Sequence, residues 1–203
     1  MKRAILAMFL LCFATAADAE TQRLALVVGA NEGAAESQVL RYAERDAQRF
    51  KAVLTQLGGF RPADVTLLLS PSASAFRAAM GRLQGAVSRH KAAGHRTLLL
   101  VYYAGHADGE NLELGGTRLR FSALRRLVEK ADADVRLAFV DACFSGALTG
   151  ARGGVRGPAF DIEVGDAFES SGFAIITSSS RTELSQESTQ IRGGWFSHYL
   201  VSA

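Results

Sequence analysis

From residue 23 onward, short apolar runs alternate with longer segments in which apolar side chains recur every three or four positions. The runs RLALVVGAN (23–31), DVTLLLS (64–70), TLLLVYYAG (97–105), VRLAFVDA (135–142) and GFAIITSS (172–179) are apolar on both alternating sets of positions, as strands buried on two faces must be. Between them lie helical stripes. Leu40, Ala43, Ala47, Phe50, Leu54 and Leu57 form one, closed by Gly58 and Gly59. Phe76, Met80, Leu83 and Val87 form another, with Ser70 and Pro71 offering an N-cap and a first-turn proline. A third helix is expected over Ser122 to about Ala131, with Leu124, Leu127 and Val128 inward. Just before it, NLELGGTRL (111–119) reads as a small hairpin turning at Gly115 and Gly116. The alternation predicts an α/β fold, a mostly parallel central sheet with helices on both faces. Ligand sites in such sheets gather beyond the carboxyl ends of the strands.

The composition fits one domain with a substantial core, at 203 residues, 48% hydrophobic and 21% charged. Residues 1–19 stand apart. Lys2 and Arg3 precede an apolar run from Ala4 to Ala14, and Ala17-Asp18-Ala19 supplies a small-x-small cleavage site before Glu20. This pattern predicts a signal peptide, an exported protein that is periplasmic or secreted, and a mature domain over residues 20–203. The apolar run is shorter than the ~20 residues of a spanning helix, so no permanent membrane anchor is expected. A lipid anchor on Cys12 is disfavoured by the bulky Leu11 before it. Removing Lys2, Arg3 and Asp18 from 23 basic and 20 acidic side chains leaves 21 and 19, a net of +2, which implies no nucleic-acid partner. Cleavage also removes Cys12, so Cys143 becomes the mature chain's single cysteine. In an oxidising compartment such a thiol is either buried and inert or put to use.

Two of the strands end in residues capable of chemistry, TLLLVYYAG in His106 and VRLAFVDA in Cys143. On neighbouring strands, ~4.8 Å apart, these side chains converge as a nucleophile and an acid–base partner. Phe144, Ser145 and Gly146 allow a sharp turn after the cysteine, whose freed N–H groups could hold an oxyanion.

The pair YYAGHA (102–107) and DACFSG (141–146), each at a strand end and in the order histidine then cysteine, resembles the caspase-like cysteine peptidases. Asp141 stands where the caspase pattern Q-A-C-x-G has glutamine, and the histidine lies closer than the usual separation of about 50 residues. Asp141 makes the chain similar to the metacaspase branch, including its bacterial members, rather than to animal caspases. The resemblance spans about residues 23–200 and implies a caspase-like three-layer sandwich. It implies a cysteine endopeptidase acting on proteins or peptides, with Cys143 attacking the scissile carbonyl and His106 protonating the leaving amine. The N–H groups of Ala107 and Cys143 would form the oxyanion hole, with alanine in place of the family's usual glycine at 107.

The resemblance further implies that Asp46 and Asp141 form an acidic pocket selecting arginine or lysine. Taken alone, Asp46 could equally be a solvated helix residue among Glu44, Arg45 and Arg49. Residues 149–171 form a long glycine-rich loop whose Arg152 and Arg156 fit that specificity and offer a self-cleavage site, or else an uncleaved lid. SSSRTELSQES (178–188) resembles the family's cleft-lining loop, and GGWFSHYL (193–200) the start of its next helix. Relatives usually continue through more helix and a further strand, so the chain is expected to be either a shortened domain or a fragment of a longer protein. No cofactor is required by the sequence. Many metacaspases need calcium, but Asp108, Glu110, Asp132 and Asp134 do not clearly match their acidic cluster, and dependence on calcium stays open. His90, His95 and His198 are expected at the surface or as caps, without zinc-ligand spacing. Gly29 and Gly33 lack the full G-x-G-x-x-G of a dinucleotide site. Two rival readings are a catalytically silent caspase-like binding or regulatory module and a flavodoxin-like binding domain, the latter leaving Cys143 unexplained.

Overall fold

A computed structural model describes residues 20–143, 172–178 and 187–202. The signal-peptide segment, Phe144 to Gly146, and the long loop with Arg152 and Arg156 lie outside the described residues.

Five strands form one wholly parallel sheet: β1 (Gln22–Gly29), β2 (Val65–Leu69), β3 (Thr97–Ala104), β6 (Val135–Asp141) and β7 (Gly172–Thr177), in the order β2-β1-β3-β6-β7. Double-sided burial explains their continuous apolar runs. In β1, Leu24, Leu26 and Val28 face the core beneath α2 (Ala73–Ala92) and α3 (Phe121–Glu129). Ala25 and Val27 face the opposite core, under α1 (Ala43–Gln56) and the partly buried Leu200 and Val201 of α4 (Trp195–Ser202). Three layers result, as the sequence predicts. The hairpin is β4 (Asn111–Leu114) and β5 (Thr117–Arg120), joined through Gly115 and Gly116 at φ 48° and 74°, the left-handed conformations that a tight two-residue turn demands. A short antiparallel pair, β8 (Glu187–Ser188) and β9 (Gly193–Gly194), leads into α4.

The small residues of α1 set the site's depth. A Cβ on Gly29 would come within 2.5 Å of the Ala43 carbonyl and 2.9 Å of the Ala47 side chain, so only glycine lets the helix lie this close to β1. One turn further on, Phe50 stacks on Tyr102 at 4.3 Å between ring centroids. Asp46, between these two contacts, is thereby pressed against the sheet.

Two local expectations are corrected. The N-cap of α2 is Ser72, whose Oγ accepts from the Ala75 N–H at 3.2 Å. Ser70 instead ends β2 at φ 41° and donates from Oγ to Glu44 at 2.6 Å, because the chain must first turn off the sheet edge. Leu57 is 82% exposed, since α1 stops at Gln56 and the Gly58-Gly59 turn carries the chain away from the core. Among the described residues, no helix is long and apolar enough to cross a membrane.

Candidate active site

β3 and β6 run side by side with Ala104 opposite Asp141, and the Gly105 N–H donates to the Asp141 carbonyl at 3.1 Å. His106 and Cys143 each lie two residues beyond that pair, so the register sets them level at the carboxyl edge of adjoining strands. Both line a pocket of about 50 Å³ with Asp46, Asp141, Glu187 and Gly194. Cys143 is half-buried, neither sealed in the core nor on a separate edge of the sheet.

The His106 ring is fixed from one side. Its Nε2 donates to the Gln38 carbonyl at 2.6 Å; a carbonyl only accepts, so the ring proton sits on Nε2. Nearby, a Cβ on Gly33 would come within 2.8 Å of the ring's Cδ2 and 2.5 Å of a Glu113 carboxylate oxygen. Nδ1 lies on the opposite edge and is the nitrogen left to exchange a proton. The Gln38 loop is itself tied down by the buried Glu113, which accepts from the Ala34 N–H at 2.8 Å and the Ser37 hydroxyl at 2.6 Å. Tyr103 donates to the His106 and Glu113 carbonyls at 2.8 and 2.7 Å, and burial holds its hydroxyl well above the ordinary phenol range, so it remains a donor. The bridge between Ala107 and Leu112 uses the N–H groups of Asp108 and Glu113, which turns the Ala107 N–H away from the hairpin.

The other half of the pocket is acidic. Asp46 and Asp141 are 3% and 6% exposed. The segment 193–197 fits directly onto them. Gly194 N–H donates to Asp46 Oδ2 at 2.7 Å, while Ser197 donates to Asp141 Oδ2 from its N–H at 3.2 Å and its hydroxyl at 2.5 Å. Side chains would not fit: a Cβ on Gly193 would lie 2.5 Å from Asp46 Oδ1, and one on Gly194 2.6 Å from Asp141 Oδ2. Glu187 accepts from the N–H groups of Arg41 and Tyr42 at 3.0 and 2.9 Å, capping the entry to α1, where the Tyr42 side chain makes no cap. Burial pushes the Asp46 carboxyl up to about 6; the Gly194 N–H opposes this, the Asp141 charge adds to it, Arg49 opposes, and Glu187 adds again. Three carboxylates around one small pocket make it a place for a cation and a poor place for an anion.

The four side chains singled out for catalysis and substrate binding, Asp46, His106, Asp141 and Cys143, therefore meet in one pocket, and Asp46 is not the solvated residue it could have been. Gln38, Glu113, Glu187 and Ser197 were not foreseen. Gln38 acts through its backbone, which leaves no side-chain signal. Glu113 occupies the polar phase of a strand-like alternation, where exposure is the default. Glu187 lies 146 residues from Arg41 and Ser197 56 residues from Asp141, distances that only the tertiary fold closes.

The acidic residues considered for calcium lie in two separate groups. Asp108 accepts from the N–H groups of Glu110 and Asn111 and pairs with Arg118 at 3.6 Å. Asp132 and Asp134 share Lys91, at 3.0 and 3.7 Å. Among the described residues no three histidine, cysteine, aspartate or glutamate side chains gather as a metal site. These residues do not fit a calcium cluster. His90 and His95 face each other at 6.1 Å near the end of α2, and His198 packs on Trp195 and Tyr199; none of the three lines the pocket.

The family model for the caspase domain matches residues 22–203. Among solved structures, the chain is similar to caspase-1 from Spodoptera frugiperda, with a TM-score of 0.65 and 18% identity, over 91% of this chain and 71% of that one. A second similar structure, of pro-sf-caspase-1, has a TM-score of 0.56 and 17% identity, over 90% of this chain and 69% of that one. At these identities the likeness is one of fold. No curated protein matches the chain.

Proposed function

The chain belongs to the caspase-domain family of cysteine-type peptidases, and on that premise we propose that it is an exported, metacaspase-like endopeptidase cleaving after arginine or lysine through Cys143 and His106. The Cys143 thiol gives its proton to His106 Nδ1 and its sulfur attacks the scissile carbonyl. The carbonyl oxygen becomes an oxyanion, received by the N–H groups of Cys143 and Ala107. His106 then returns the proton to the leaving amine, and a water molecule activated by the same nitrogen releases the acyl group from sulfur. The Gln38 carbonyl, accepting from Nε2, stabilises the imidazolium between these two transfers.

The observation that carries the specificity is the clustering of Asp46, Asp141 and Glu187 beside Cys143. A guanidinium or ammonium entering there relieves mutual repulsion. An aspartate would add a fourth negative charge, and the discrimination comes as much from that repulsion as from attraction. Export rests on the pattern of residues 1–19.

The mature protein is expected to be labelled stoichiometrically at Cys143 by an arginyl chloromethyl ketone, and the labelling to vanish with His106→Ala. In a peptide panel, cleavage should follow arginine and lysine. A folded protein that stays unlabelled would identify a silent binding module, and equal or better cleavage after aspartate would overturn the specificity.

A steric prediction follows from the loop over the histidine. Gly33→Ala pushes a methyl between the imidazole edge and Glu113, and a displacement of about 1 Å at a reacting group costs on the order of 10²-fold. Turnover of an arginyl peptide is expected to fall by at least ~10-fold with KM little changed. Steady-state kinetics at unchanged turnover would show that the ring position is not set by this contact.

A further inference from the structure

Beneath the pocket, groups from three elements form a continuous hydrogen-bonded chain. Tyr102 Oη on β3 lies 2.5 Å from Ser197 Oγ on α4, which lies 2.5 Å from Asp141 Oδ2 at the end of β6. Tyr102, Ser197 and Asp141 are 0%, 1% and 6% exposed, so water does not supply substitutes. The direction of the chain is fixed by chemistry. An ionised carboxylate only accepts, so the single Ser197 hydroxyl proton must go to Asp141, and Ser197 can then only accept from Tyr102. Burial first, and then the nearby Asp141 charge, hold the Tyr102 hydroxyl well above the ordinary phenol range, which keeps it a donor. The Ser197 N–H, in the first turn of α4, converges on the same carboxylate oxygen at 3.2 Å.

We propose that Ser197 is a positioning residue for substrate selection, locking the Asp141 carboxylate in the orientation that meets a basic side chain, and that Tyr102 sets the direction of the Ser197 hydroxyl. The proposal rests on the basic-residue reading of the pocket. Asp141 alone can rotate about its side-chain bonds; two donors on one oxygen remove that freedom. The orientation is thus prepared before substrate arrives, and the cost of ordering is not met at binding. Glycine at 194 is part of the same device, since a Cβ there would displace Oδ2.

The test uses two thiol reagents on the full chain: an arginyl chloromethyl ketone, which needs the pocket, and iodoacetamide, which needs only the thiol. Ser197→Ala is expected to slow the arginyl reagent roughly 10- to 100-fold, the range for a hydrogen bond to a charged group, and to raise KM for an arginyl peptide while kcat moves less than about threefold. Iodoacetamide should react as with the unsubstituted protein. Ser197→Thr, which keeps the hydroxyl, should restore the arginyl rate to within about threefold. Tyr102→Phe, which removes one oxygen from a buried ring and preserves its packing, should give an intermediate loss of about 3- to 10-fold and carries the test if the alanine variant does not fold. Equal loss with both reagents would mean that Ser197 merely docks α4, and unchanged arginyl reactivity would mean that Asp141 needs no such support; either overturns the proposal. If the unsubstituted protein shows no preference for the arginyl reagent over an aspartyl one, the reading of the pocket itself fails, and the proposal with it.

Discussion

Replacing Cys143 with alanine is expected to lower kcat/KM for an arginyl peptide by at least ~10⁴-fold, the largest effect of any single change in this chain. Residues 20–203 hold no other thiol, and loss of a nucleophile that acts as one unit with its base removes nearly all of the catalysis that the unit supplies. His106→Ala should cost ~10³-fold or more, because it removes proton transfer at both chemical steps. Combining the two should cost no more than Cys143→Ala alone, since neither acts without the other. The fold should tolerate both. Cys143 is half-buried at a strand end, beyond the ladder, and deleting one sulfur there leaves the two cores untouched. Hydrolysis rates measured beside thermal midpoints separate the cases. Residual activity within tenfold in a folded Cys143→Ala protein would assign the chemistry elsewhere.

The convergence of His106 and Cys143 was legible in the sequence because both stand where chain geometry is simplest. Parallel strands buried on both faces read as unbroken apolar runs, and the residue just past each run lies at the sheet's carboxyl edge. The register then adds what no run of residues states, that Ala104 and Asp141 are partners, which brings His106 and Cys143 level. The pocket was legible only in part. Asp141 sits inside an apolar run, where a carboxylate draws notice; Asp46 sits in a helix among other charges, and its burial follows from the close approach of α1 at Gly29 and Ala47. Helix ends were the least legible. Ser70 and Ser72 have the same capping chemistry, and which of them caps α2 depends on how far the chain must turn from the edge of β2. Glu187 and Ser197 carried no local mark, because each meets a partner far away in the sequence, Glu187 the backbone before α1 and Ser197 the end of β6.

Asp46→Asn should make the protein more stable and less selective at the same time. In the folded protein the Asp46 carboxyl titrates at about 6, against 3.8 for the unperturbed group. Between those values the folded state holds a proton that the unfolded state has released, so stability falls as pH rises through this window and stays lower above it. The full difference amounts to ~3 kcal/mol as an order of magnitude. Asparagine removes the buried charge and retains an oxygen for the Gly194 N–H, whereas the lost contact with Arg49, 3.8 Å away and partly exposed, contributes little. At pH 7.5 the variant is therefore expected to gain about 2 kcal/mol, roughly 4–8 °C in thermal midpoint for a chain of this length. At pH 4, where the folded unsubstituted protein has already taken up the proton, the gain should be almost absent. Activity moves the other way. Losing one member of a buried charge pair with a bound guanidinium costs 2–5 kcal/mol, so kcat/KM for arginyl peptides should fall ~10²-fold. In the unsubstituted enzyme the same parameter should decline below about pH 6, as Asp46 in the free enzyme becomes protonated; in the variant that part of the decline should vanish. If Asp46 were only a clamp for the backbone of 193–194, the gain in stability would appear alone, and arginyl turnover would survive the substitution. Opposite movements of stability and selectivity, both fading toward acid, are what a carboxylate held ready for a cation produces.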